Sequence, residues 1–102
     1  MRLGSYDCEL KDHSKAYKLY GEKIIHERHR HRLEVNNEFL DALVKKGLMV
    51  SGINRELNLV EVAELADHPF FIGCQYHPEF QSKPFKPHPL FPGFSKACAK
   101  IE

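Results

Sequence analysis

A single mixed α/β domain is the fold this sequence predicts, and three patterns predict it. Strand-like and helix-like segments alternate along the chain, which points to an α/β or α+β architecture. The length, 102 residues, suffices for one domain with one core. Apolar residues at 42% and charged residues at 28% are ordinary for a globular chain, and there is no internal repeat or sign of a second domain.

The elements follow in order. Residues 1–10 alternate loosely and read as a strand with a kink near Gly4. Ser14 is a candidate N-cap, Ala16, Tyr17, Leu19 and Tyr20 give a short apolar stripe, and Gly21 closes it, so the spacing predicts a helix of about two turns. Residues 23–35 read with period 2. One face carries Ile24, His26, Arg28, Arg30, Arg32 and Glu34, and the other Ile25, Glu27, His29, His31, Leu33 and Val35. Asn36 or Asn37 caps the next helix, whose stripe is Phe39, Leu40, Leu43 and Val44 and whose end is Gly47. Leu48–Ile53 and Leu57–Leu65 read as a hairpin around a turn at Asn54-Arg55-Glu56. The apolar run Phe70–Tyr76 is expected to be the central strand, and residues 81–92, with four prolines, a surface loop. Phe94, Ala97, Cys98 and Ile101 place a last helix over 94–101.

Composition excludes some classes of function. A net charge of +1 gives no global attraction to nucleic acid or a membrane surface. No apolar run approaches the roughly 20 residues that span a bilayer, and Met1-Arg2-Leu3-Gly4-Ser5 lacks the apolar core of a signal peptide. Cys8, Cys74 and Cys98 form neither a CxxC pair nor a disulfide framework, so a reducing cytoplasm is the expected compartment. No glycine-rich phosphate loop and no nucleophile elbow is present.

Chemistry concentrates in two stretches. The first is Gly73-Cys74-Gln75-Tyr76-His77-Pro78-Glu79-Phe80. Pro78 drives His77 to an extended backbone, and residues two apart in an extended segment point the same way, so Glu79 is expected to reach the His77 imidazole. That is the base and orienter of a nucleophile–base–orienter arrangement. Cys74 is a poor nucleophile for it: positions 74 and 77 face opposite ways in a strand, and an apolar run raises a thiol pKa. The bland alternative is a turn with two solvated side chains. The second stretch is Arg28-His29-Arg30-His31-Arg32. Guanidiniums about 7 Å apart on one strand face favour anions, and one of them is suited to a planar, bidentate grip on a substrate carboxylate. An aggregation-blocking edge strand explains the same charges. A metal site of His29 and His31 with His77 or His88 is a third reading, weakened by the absence of an acidic or thiol partner at fixed spacing.

Taken together these stretches resemble the C-terminal part of the glutamine amidotransferase domain of the CTP synthase family. The matching residues are Met1-Arg2-Leu3-Gly4, Leu19-Tyr20-Gly21, Glu27-Arg28-His29-Arg30-His31-Arg32 with Glu34-Val35-Asn36, Ser51-Gly52, Val60-Glu61, Glu64-Leu65, His68-Pro69-Phe70-Phe71, Gln75 to Phe80, Pro87 to Phe91 and Gly93-Phe94. They cover essentially the whole chain. The resemblance implies part of a class I glutamine amidotransferase, flavodoxin-like α/β domain with an incomplete sheet. It implies hydrolysis of L-glutamine by a Cys–His–Glu triad, with His77 as general base, Glu79 as its orienter and Arg32 helping to bind glutamine. Ammonia then passes to a synthase domain that aminates UTP with ATP and magnesium, in a homotetramer. No metal or cofactor is expected in this chain itself.

The family's nucleophilic cysteine, in a glycine-flanked strand–helix turn, has no counterpart in these residues. The expectation is therefore a partial domain, residues 1–102, inactive alone and prone to self-association, with apolar surface and a strand edge uncovered. Two other readings stand beside it: a non-catalytic glutamine-binding or regulatory module, and a small metal-binding protein using the histidine run.

Overall fold

The computed structural model describes residues 2–31 and 33–101. Its frame is a five-stranded sheet in the order β2-β1-β3-β4-β5, with every neighbouring pair antiparallel. The strands are β1 (Arg2–Leu10), β2 (Ile24–His31), β3 (Leu48–Asn54), β4 (Leu59–Leu65) and β5 (Ile72–Cys74). β1 pairs with β2 along almost its whole length, from Arg2↔His31 to Glu9↔Ile24, and its end pairs with β3 at Glu9↔Ile53 and Leu10↔Gly52. Gly4, where a kink is expected, has φ +101°.

Helix α1 (Lys15–Tyr20) is capped as its sequence dictates. Ser14 Oγ accepts from the Tyr17 amide at 3.0 Å, and Gly21 takes the left-handed conformation while its amide donates to Tyr17 O. A second cap comes from far along the chain: the buried Glu64 carboxylate accepts from the amides of Lys15 (2.9 Å) and Ala16 (3.3 Å). A carboxylate on unpaired N–H groups at a helix start answers both the hydrogen-bond deficit and the helix dipole. Helix α3 (Leu90–Ile101) crosses α1, and Gly93 lets it approach so closely that a Cβ there would stand 2.6 Å from Leu19 Cδ2. Pro92 sits in the first turn of α3, where the missing N–H costs no helical bond. The helix thus starts four residues earlier than its apolar stripe indicates. Cys8, Leu10, Ala16, Ile25, Val62, Tyr76 and Leu90 form the core between helices and sheet.

Two further expectations are corrected. β5 is a three-residue edge strand, not a central one, pairing only with β4. The apolar residues before it serve other contacts: the Phe70 ring meets Phe94 of α3, and Phe71 meets His68. None of residues 70–74 is fully buried and Phe71 is exposed, so the apolar run fixes neither burial nor a place in the sheet order. The β3–β4 turn lies at residues 55–58 rather than 54–56, because Asn54 stays in β3 and its Oδ1 accepts the Leu57 amide at 2.8 Å, while Asn58 takes φ +53°. Helix α2 (Leu40–Lys45), entered by a 3₁₀ turn (Asn37–Phe39) that Asn36 caps, buries none of its residues. Phe39, Leu43 and Val44 of its stripe are exposed. Among the described residues no helix is long and apolar enough to cross a membrane.

Gly52 is the most closely packed glycine of the sheet. A Cβ there would lie 2.7 Å from Cys8 Sγ and 2.9 Å from Val62 Cγ2, both buried. Gly52→Ala is expected to destabilise the fold by about 1–3 kcal/mol through overpacking, measured by urea unfolding. An unchanged midpoint would show that the β1–β3–β4 contact is looser than described.

Candidate functional site

The burial of β2 alternates residue by residue: Ile25, Glu27 and His29 are buried, while Ile24, His26, Arg28 and Arg30 are exposed. The period-2 reading therefore holds, and it turns carboxylate and imidazoles inward. Each inward group has partners. Glu27 Oε2 accepts from Tyr20 Oη at 2.5 Å and from His88 Nε2 at 2.6 Å. The Leu90 amide donates to His88 Nδ1, so the neutral imidazole holds its proton on Nε2, the atom facing Glu27. Tyr20 gives its one proton to Glu27, which leaves Tyr76 Oη to donate to Tyr20 Oη across 3.0 Å. Burial pushes both phenols well above the usual tyrosine range, so both remain donors.

A second chain of contacts runs from the same face. His31 Nδ1 lies 2.9 Å from Leu33 O, which can only accept, so Nδ1 carries the proton. His31 Nε2 then accepts from His29 Nδ1 at 2.8 Å, and His29 Nε2 faces the buried Glu61 Oε1 at 2.7 Å. With His29 and His31 bonded to each other and His88 committed to Glu27, the three imidazoles do not converge. Among the described residues no group of three or more His, Cys, Asp or Glu is arranged to hold a metal ion.

The open edge of β2 carries the predicted site. His77 is extended, φ −110° and ψ 92°, as Pro78 requires, and its amide donates to Arg28 O at 3.0 Å. A 3₁₀ turn (Pro78–Gln81) follows, so Glu79 reaches the imidazole from a tight turn rather than from the expected extended segment. The contact itself is as expected: His77 Nδ1 and Glu79 Oε2 are 2.9 Å apart. A carboxylate there fixes the proton on Nδ1 and leaves the Nε2 lone pair outward, the arrangement of a general base with its orienter. The Phe80 ring stacks on the imidazole at 4.9 Å between centroids. The sequence offers no signal for that contact beyond adjacency to the His-Pro-Glu run. Arg28 and Arg30 line a neighbouring hollow of about 530 Å³ with Leu3, Gly4, His29 and Phe80. Arg32, the glutamine-binding expectation, lies outside the described residues.

No thiol is placed on His77. Cys74 is half-buried, donates to Tyr76 O at 3.5 Å, and has its pKa pushed up to about 11, first by burial and then by the charges of Glu27 and Glu79. Such a thiol is protonated and inert at neutral pH. Cys8 is in the core and Cys98 is exposed on α3.

Known proteins are similar to this chain over nearly its whole length. The family model "Glutamine amidotransferase class-I" matches residues 1–97. A CTP synthase of Rubrobacter xylanophilus is 56% identical over 98 residues, and one of Geobacter metallireducens 57% over 98 residues; each match covers 96% of this chain. The chain spans only 18% of the length of these relatives. Among solved structures, the glutaminase domain of Trypanosoma brucei CTPS with bound acivicin is similar at a TM-score of 0.92 and 38% identity, over 98% of this chain and 40% of that one.

The hydrogen bond to His77 holds the Glu79 carboxyl below its ordinary value of 4.5. The sign follows: a depressed folded-state pKa stabilises the turn above the ordinary value, and that stabilisation disappears as pH falls through the folded pKa. Carboxyl NMR titration is expected to put the Glu79 midpoint below 4.5, and His77→Ala to return it to the ordinary range. A midpoint that His77→Ala leaves unmoved would mean the 2.9 Å contact is not populated in solution.

Proposed function

The chain belongs to the class I glutamine amidotransferase family, and on that premise we propose that it is the C-terminal part of the glutaminase domain of a CTP synthase. His77 is the general base of glutamine hydrolysis, Glu79 orients it, and the nucleophilic cysteine comes from outside these 102 residues. The observation that carries this reading is the His77 Nδ1–Glu79 Oε2 contact of 2.9 Å, which engages Nδ1 and leaves Nε2 as the nitrogen to accept a proton.

The chemistry follows from that arrangement. His77 Nε2 takes the proton of the incoming thiol, and the thiolate attacks the side-chain amide carbon of glutamine. Collapse of the tetrahedral intermediate breaks the C–N bond, and the imidazolium returns its proton to the leaving nitrogen as ammonia departs. Glu79 stabilises the imidazolium in between. Water then hydrolyses the thioester to glutamate. Arg32 helps to bind glutamine, with Arg28 and Arg30 adding positive potential beside the turn. The ammonia goes to a synthase domain, where UTP is aminated with ATP and magnesium held outside these residues, in a homotetrameric, cytoplasmic enzyme.

The test joins two assays. Glutaminase turnover by this chain alone is expected to equal buffer, whereas the full-length enzyme carrying it is active. In that enzyme His77→Ala is expected to lower kcat by about 10²–10⁴, while Cys74→Ala leaves it unchanged. Turnover by the chain alone that Cys74→Ala abolishes would overturn the assignment.

A further inference from the structure

A single 3₁₀ turn is too short to hold its own shape, because few hydrogen bonds repay the ordering of its backbone. The turn that carries Glu79, Pro78–Gln81, buries none of its residues. Backbone bonds at its two ends join the Phe80 amide to His77 O at 3.1 Å and the Ser82 amide to Glu79 O at 3.4 Å, both within the turn and its neighbours, and neither ties it to the sheet. Something else must set its orientation.

β2 is the terminal strand of the sheet, and β1 pairs with only one of its edges. Carbonyls of residues two apart on a strand point to the same edge, about 7 Å from each other. His26 O and Arg28 O are such a pair, and both are taken up by the turn. Arg28 O accepts from the His77 amide at 3.0 Å, and His26 O accepts from Gln81 Nε2 at 3.0 Å. The first bond lies just before the turn and the second at its last residue. Two fixed points prevent rotation about either one, and Glu79 lies between them in sequence.

We propose that Gln81 is a positioning residue for the reaction: its side-chain amide, by bonding His26 O, fixes the turn that aims His77 Nε2 at the thiol. This rests on the reading of His77 as general base. With the clamp gone, the imidazole samples orientations away from the nucleophile, and the turnover step suffers while glutamine binding, which draws on other groups, does not. Lys or Arg in this place would restore a donor of sufficient reach.

The test uses the full-length enzyme carrying this chain, with His77→Ala as its reference. Gln81→Met and Gln81→Glu, which match the length but lack the N–H donor, are expected to lower kcat by about tenfold, since small misplacements of a catalytic group are costly. KM for glutamine should stay within about twofold, and the melting temperature within about 2 °C, as for a surface change. Gln81→Lys is expected to recover most of kcat. In the present chain, hydrogen exchange at the His77 amide should become about tenfold faster in Gln81→Met, reporting a looser turn without any reference to catalysis. Unchanged kcat and exchange in Gln81→Met, with His77→Ala inactive, would overturn the role of Gln81 alone. A kcat loss matched by a fall in melting temperature and not rescued by Lys would make Gln81 merely structural and also overturn it. Full activity in His77→Ala would overturn the reading of the base and this inference with it.

Discussion

A carboxylate inside the core is the constraint on which this small structure turns. Glu27 stands on the inward face of β2, nearly without exposure, and an uncompensated buried charge costs about 3–5 kcal/mol. Its compensation comes from Tyr20 at the end of α1 and His88 just before α3. Both helices are therefore tied to the same strand through one oxygen atom. Tyr76, the residue before His77, joins the set through Tyr20. Of the groups hydrogen-bonded around Glu27, Tyr76 and His88 thus bracket the His77–Glu79 stretch in sequence.

The same strand supports the site from its edge. Its backbone carbonyls at His26 and Arg28 receive the His77 amide and the Gln81 side chain, and its arginines face the neighbouring hollow. Side-chain alternation and backbone alternation on one strand thus separate three tasks: inward groups hold the core, edge carbonyls hold the turn, and outward guanidiniums shape the potential. Strand β2 connects the fold to the chemistry because these three directions diverge from it.

Much of this was legible in the residues, and the limits have physical causes. Period-2 alternation placed Glu27 and His29 on one face and Arg28 and Arg30 on the other, without saying which face is inward, and the caps at Ser14, Gly21 and Asn36 are local interactions that a short window contains. The His77–Glu79 contact was also local, although the turn that makes it is 3₁₀ rather than extended. Long-range partners were not legible. Nothing near Glu64 indicates that it caps α1, and nothing near Gln81 indicates His26 O. The stripe of α2 was read correctly as amphipathic, yet Phe39, Leu43 and Val44 are exposed, because amphipathicity shows that a face can be buried and not what would cover it. The apolar run ending in β5 misled for a related reason: its aromatic residues are used against α3 and His68, not in the middle of the sheet.

The central claim is that Glu79 holds His77 with its proton on Nδ1 and its lone pair on Nε2. Nitrogen-15 NMR of the imidazole reads this directly, because protonated and unprotonated ring nitrogens have widely separated shifts. Above the imidazole titration His77 should show a protonated Nδ1 and a bare Nε2, and Glu79→Ala should abolish that preference. A proton found on Nε2 in the unaltered chain would contradict the account, since the atom offered to the thiol could then accept nothing.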